Sequence, residues 1–445
     1  MKLIYGIEDK PKFGQVLIFA FQQLLAILAA TIAVPAIIGN GMSQSAALFG
    51  AGVGTIVYLL FTKFRSPVFL GSSFAFLGSM FAAFAGAASA EAGYAGIILG
   101  AIFAGLVYVV IAIVVKFAGV NWINKLMPPV VIGPTVAIIG LSLAGNAIGD
   151  SLKFATNEGG TYAMNTKGWL GFICALVTLI TVTICSVYGK KMAKLIPFII
   201  GILAGYAVAA IFTVIGIKTG NETLMIIDFS LFNNMKWLPD FTFLTAYKGI
   251  GQIDAKYIAT IAVAYVPVAF VVFAEHIADH KNLSTIIDTD LLEEPGLHRT
   301  LLGDGIGSMV GAFFGGCPNT TYGESVGCVA ITKNASVVTI ITTAVMAIVV
   351  SFFAPFVTFL ATIPACVMGG VCITLYGFIA VSGLKMIQGV DLNENKNLFV
   401  VSIILIAGVG GMAIKIGQVT LTAVACSLIL GIILNLILSG KKDTE

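Results

Sequence analysis

The sequence predicts an all-α polytopic membrane protein with 14 transmembrane segments in a 7+7 inverted repeat. Three observations carry that expectation. Of the 445 residues, 58% are hydrophobic and only 10% are Asp, Glu, Lys or Arg, where soluble domains hold about 45–50% and about 25%. So few charges cannot coat a water-soluble surface, which excludes disordered, collagenous, coiled-coil and nucleic-acid-binding chains together. Apolar runs near the ~20 residues that a span requires recur along the whole chain. Finally, the stretch 126–145 resembles 362–383, with Pro128 falling on Pro364, Gly133 on Gly369 and Ala144 on Ala380. A duplicated unit with an odd number of spans must insert upside down, which is the inverted-repeat pattern of secondary transporters.

The segments fall near 14–38, 44–62, 68–85, 94–117, 128–146, 168–187, 195–216, 255–280, 301–316, 319–332, 335–360, 365–384, 397–414 and 418–439. The first run extends well beyond a signal-peptide core and no small-residue cleavage site ends it, so it reads as the first span. The third and tenth are short and rich in Gly, Ser and Thr. LGSSFAFLG (70–78) and TTYGESVG (320–327) both interrupt apolar runs, as paired broken helices do in transporters, and such helices meet at the binding site near the membrane midplane. With the N-terminus in the cytoplasm, 17 of the 24 Lys and Arg fall on the cytoplasmic side and 7 on the other. That split satisfies the positive-inside rule and keeps both termini inside. The 7 cysteines contain no CxxC and sit mostly in apolar runs, so they read as buried free thiols, with no disulfide framework and no metal site.

Four acidic residues stand apart from the loops. Glu275 and Asp279 end the eighth segment, Asp304 lies in the ninth and Glu324 in the tenth. A charge inside the membrane costs at least ~2.5 kcal/mol, so such residues face a cavity or a partner. For Glu324, among small residues, a functional role is expected. Asp304 reads equally well as a tie between spans. In the run AEHIADH, Glu275 and Asp279 share one helical stripe and His276 and His280 the next. The order is not the HExxH of zinc proteases, and no third ligand follows. A carboxylate beside histidines suits proton handling instead, since histidine titrates near neutrality. Half-helices starting near Ser73–Phe74 and Tyr322–Gly323 would present free backbone N–H groups to the cavity, and Phe74, Tyr322 and Tyr376 would offer flat faces. Carboxylate acceptors, N–H donors and aromatic walls match a small, flat, neutral ring with N–H and carbonyl groups: a pyrimidine or purine base.

The stretches YLLFTKFRSPVFLGSSFAF (58–76), VVFAEHIADH (271–280), DLLEEPGLHRTLLGDGIGS (290–308) and GGCPNTTYGESVGCVAITK (315–333) resemble the nucleobase/ascorbate transporter family, and within it the bacterial uracil-carrying branch. The resemblance implies short strands and half-helices in segments 3 and 10. It also implies a core domain from 1–126 and 254–362 and a gate domain from 127–253 and 363–445. It places substrate binding on Phe74, Glu275, Gly323 and Glu324, the lining on Ala30, Ser73, Tyr322 and Tyr376, and proton coupling on Glu275 and His280. The function implied is import of uracil, or a related nucleobase, across the plasma membrane with a proton as coupling ion and no cofactor. The chain is then no enzyme, meets lipid and no nucleic acid, and could form a homodimer. A xanthine- or urate-type purine symporter and a channel or anion transporter of the related fold are the alternatives. Two departures stand out: Ser325 where the family signature has Asn, and Gln23 where the family often has His. Serine cannot make both bonds of that amide, so looser support of the half-helix is expected.

Overall fold

The computed structural model describes residues 3–119, 122, 126–190, 192–416 and 419–439. Lys2, Lys125, Lys191, Lys441 and Lys442, counted above to the cytoplasmic side, lie outside them, as does the C-terminal tail. Eight helices among the described residues are long and apolar enough to cross a membrane: α1 (Phe13–Ile38), α2 (Gln44–Phe61), α4 (Ala90–Ala118), the α5–α6 run (Pro129–Ser142 and Ala144–Ser151), α7 (Thr166–Tyr188), α8 (Pro197–Thr219), α10 (Ala255–Ile287) and α15 (Ala365–Ile387). Shorter elements fill the remaining apolar segments. They are α3 (Leu77–Ala85), α11 (Leu297–Gly315), α12 (Gly323–Thr332), α13 (Val337–Ser351), α14 (Ala354–Ala361), α16 (Asn395–Val409) and α17 (Ala423–Ser439). A small helix, α9 (Thr242–Gly249), lies between α8 and α10. Local chemistry sets several starts: Ser43, Ser89, Asn165 and Asp254 each accept a backbone N–H of the first turn of α2, α4, α7 and α10, as N-caps do.

Three expectations are corrected. The eleventh segment is not one continuous helix but two, α13 and α14, bent by 81°. Pro355, in the first turn of α14, cannot donate to the preceding turn, so the helix restarts there. The eighth segment does not end at His280: α10 runs on to Ile287, its polar last turns held by the Ser284 and Thr285 hydroxyls, which donate to the carbonyls of His280 and Lys281. Glu275 and Asp279 therefore lie inside the helix rather than at its end. The thirteenth segment stops at Val409, where Gly410 and Gly411 follow, Gly411 at φ 69°. An antiparallel pair, β5 (Ile414–Ile416) with β6 (Val419–Leu421), then leads into α17, much as β2 (Thr156–Glu158) paired with β3 (Thr161–Ala163) leads into α7.

The helices pack in two groups. In one, α2 packs on α11 and α13, α4 on α10 and α11, and α1 on α13 and α12. In the other, α5 packs on α15 and α16, α7 on α8 and α15, and α16 on α17. Small residues let backbones touch, which drives helix association where lipid removes the hydrophobic incentive. A Cβ at Gly54 of α2 would stand 2.8 Å from the Gly307 carbonyl oxygen of α11 and 2.7 Å from Asn319 Nδ2. Gly54→Val is therefore expected to cost about 1–3 kcal/mol by overpacking, seen as a lowered melting temperature in detergent. Gly145→Ala, where a Cβ meets nothing within 4 Å, should leave it unchanged. Equal melting of both variants would refute the packing argument.

Candidate functional site

Strand β1 (Leu70–Ser72) and strand β4 (Asn319–Thr321) pair antiparallel, with Leu70 opposite Thr321 and Ser72 opposite Asn319. Each runs directly into a short helix. A 3₁₀ turn at Phe74–Phe76 precedes α3, and Tyr322 precedes α12. Polar side chains lock the pair into the helices around it. Thr55 of α2 accepts from Leu70 N–H at 2.9 Å and donates to Leu70 O at 3.2 Å. The Asn319 amide donates to Gly50 O at 3.0 Å, and the Tyr322 hydroxyl to Ser72 O at 2.6 Å. As the first residues of their helical turns, Phe74 and Gly323 have main-chain N–H groups with no intrahelical partner.

A cavity of about 420 Å³ opens beside this pair, between the two helix groups. One wall is Ser73, Phe74 and the strip Thr320–Glu324, with Glu275 and Asp279 of α10 alongside. The facing wall is apolar except for Ser382 of α15: Val136 and Ile139 of α5, Phe198 of α8, and Leu375, Phe378 and Ile379 of α15. Glu275, Asp279 and Glu324 are half-buried. No Lys, Arg or His lines the cavity, and among the described residues no ion pair engages Glu275 or Glu324. Three carboxylates without a cation repel an anion and accept hydrogen bonds from a neutral donor.

Six of the residues singled out in the sequence thus come together here: Ser73, Phe74, Glu275, Tyr322, Gly323 and Glu324. The others stand behind the wall. Ala30 is buried in α1 at 1% exposure. The Tyr376 ring meets the Phe74 ring edge-on, with centroids 6.0 Å apart, so it shapes the site through Phe74. His280 is fully buried and both its nitrogens are engaged. Nδ1 lies 2.8 Å from His276 O, which can only accept, so it carries a proton. Nε2 lies 2.7 Å from the Tyr58 hydroxyl, itself 2.7 Å from Ser66 Oγ. Asp304 is also fully buried. Its Oδ2 lies 2.9 Å from His276 Nδ1, and His276 Nε2 lies 2.9 Å from Thr300 Oγ1, which ties α10 to α11.

Asp279 joins the six wall residues as a seventh, an intramembrane acid to which the sequence assigns no role at the site. Its Oδ2 accepts from Thr321 Oγ1 at 3.0 Å, fastening α10 to β4 one turn from Glu275. The signal was present in the i, i+4 spacing that puts the two carboxylates on one stripe. The apolar wall carried no such signal, because Val, Ile and Phe recur throughout the spans.

A cavity between two helix groups, walled by paired strand–helix segments, belongs to a class of polytopic membrane transporters. The fold is shared with the transmembrane domain of a cyanobacterium bicarbonate transporter, BicA, at a TM-score of 0.62 and 17% identity, covering 97% of this chain and 99% of that one. At that identity the likeness is one of fold alone. The chain belongs to the nucleobase/ascorbate transporter family: residues 14–417 match the family model described as Permease family. It is 39% identical over 447 residues to the uracil permease of Bacillus caldolyticus, covering 99% of this chain and 96% of that protein. To the uracil permease of Bacillus subtilis (strain 168) it is 36% identical over 448 residues, covering 100% and 97%.

Proposed function

We propose that the chain is a proton-coupled symporter that imports uracil across the plasma membrane. The observation that carries this reading is the cavity itself. Glu275 and Glu324 share one wall with Phe74 and Gly323, whose main-chain N–H groups have no intrahelical partner, and no basic residue is in the lining. Uracil has two ring N–H donors and two carbonyl acceptors. Carboxylates would take the former and backbone N–H groups the latter, while Phe74 covers the ring face. Relatives named uracil permeases at 36–39% identity support the same ligand. An anion would meet three carboxylates and no cation, which disfavours the anion-transporter alternative.

In this reading the apolar segments make 14 crossings as a 7+7 inverted repeat. Residues 1–126 and 254–362 form a core that carries the polar wall, and residues 127–253 and 363–445 a gate that carries the apolar one. Alternating access comes from movement of one against the other around the site. Both termini are cytoplasmic. Single cysteines at Asn221 and Thr285, both exposed, test the topology in a background without the native thiols. An impermeant reagent added to intact cells should label position 221 and spare 285; labelling of 285 would overturn the crossing count. The function is tested by uptake into proteoliposomes with an imposed proton gradient and a panel of bases. Uracil uptake that follows the gradient, and is competed by unlabelled uracil better than by xanthine or urate, is the expected result. Gradient-independent flux or preference for a purine overturns it.

A further inference from the structure

Gln23 and Ser325 are separated by 302 positions, yet their side chains touch. Gln23 Nε2 donates to Ser325 Oγ at 2.6 Å and reaches Ser325 O at 3.4 Å. The Ser325 Oγ also accepts the main-chain N–H of Phe69 at 3.0 Å. Gln23 is 3% exposed and Ser325 and Phe69 are 0% exposed. One serine hydroxyl therefore joins three segments: α1, the lead-in to β1, and the first turn of α12. A hydroxyl has two acceptor lone pairs and one proton, so it can serve both donors at once. The link also survives exchange of the glutamine oxygen and nitrogen, because the hydroxyl can donate as well as accept.

Ser325 immediately follows Glu324. The first N–H groups of a helix have no partner within it, so the first turn of α12 is set in place from outside. β4 holds it from one side through its pairing with β1, and Ser325 from the other. We propose that Gln23 and Ser325 act as a positioning pair for Glu324, with the long amide of Gln23 supplying the reach that the short serine side chain lacks. Neither residue lines the cavity, so neither contacts a bound base. The expected looseness of the half-helix at Ser325 is thereby replaced by a tie from α1. The functional half of the proposal rests on the reading that Glu324 holds uracil.

The test compares purified Gln23→Leu, Ser325→Ala and the double variant with the unaltered chain. Hydrogen–deuterium exchange reads the junction without any ligand. Both single variants should exchange faster in the peptide 319–332 and not in 337–351. Equilibrium binding of uracil reads the consequence. Each single variant should raise Kd about tenfold, Ser325→Ala no less than Gln23→Leu because it also strips the Phe69 N–H of its acceptor, and the double variant should match Ser325→Ala rather than multiply the two. In a Glu324→Gln background, Gln23→Leu should add less than a further twofold. If Gln23→Leu does not yield folded protein, Gln23→Glu, which keeps the length and loses the donor, takes its place. Unchanged exchange in 319–332, multiplicative losses in the double variant, or normal Kd despite faster exchange each overturn the pairing. If the unaltered chain binds no uracil, the functional reading fails, and the exchange result still decides whether the junction exists.

Discussion

Glu324→Gln should weaken uracil binding by about 2 kcal/mol or more, close to thirtyfold in Kd. The substitution keeps the shape of the side chain and replaces one acceptor oxygen by a donor. Facing a ring N–H, that NH₂ group would confront another donor in a half-buried site, where hydrogen bonds to charged groups contribute about 1.5–3 kcal/mol. Isothermal titration of the purified variant checks it, and an unaltered affinity would remove Glu324 from the binding site. The fold should survive, because no ion pair depends on the carboxylate among the described residues.

Replacing Glu275 by Ala should abolish both uracil binding and gradient-driven uptake, whereas His280→Ala should retain binding and lose the gradient dependence of uptake. The two residues are five apart on α10, about 140° around the helix, so no direct contact along one stripe joins them. Asp279 occupies the intervening wall position, and the His276 and His280 rings lie with centroids 4.0 Å apart. Binding and uptake must be measured on the same preparations. Normal gradient dependence in His280→Ala would make His280 a fastener between α10 and Tyr58, and would move the proton to another buried acid, Asp304 first.

Much of this was legible in the residues. Charge scarcity and run length identify the membrane class, and the two polar interruptions at 70–78 and 320–327 locate the paired segments that wall the cavity. Glu275 and Glu324 announce themselves because a carboxylate in an apolar run demands a reason. Less was legible where tertiary contact decides. The bend at Pro355 hides in a run of uniform hydropathy. The continuation of α10 to Ile287 depends on Ser and Thr hydroxyls folding back on carbonyls, a local choice that a hydropathy window does not weigh. Gln23 and Ser325 each read only as a departure from the family pattern when taken alone, and their contact turns the two departures into one bond. Tyr376 and Ala30, assigned by resemblance to the lining, stand behind it: the Tyr376 ring packs edge-on against Phe74, and Ala30 is buried in α1.

The pairing of β1 with β4 has a consequence for biogenesis. Leu70–Ser72 is synthesised some 250 residues before its partner Asn319–Thr321. At about 5–20 residues per second, that interval lasts roughly 10–50 s. During it the first strand has no partner strand, and each unmet backbone group in hydrocarbon costs several kcal/mol. The early spans therefore cannot settle in lipid as a finished unit. Until the second half of the chain arrives, that stretch must stay sheltered, by the insertion machinery or by neighbouring helices, and the substrate-facing wall is among the last parts of the molecule to be completed.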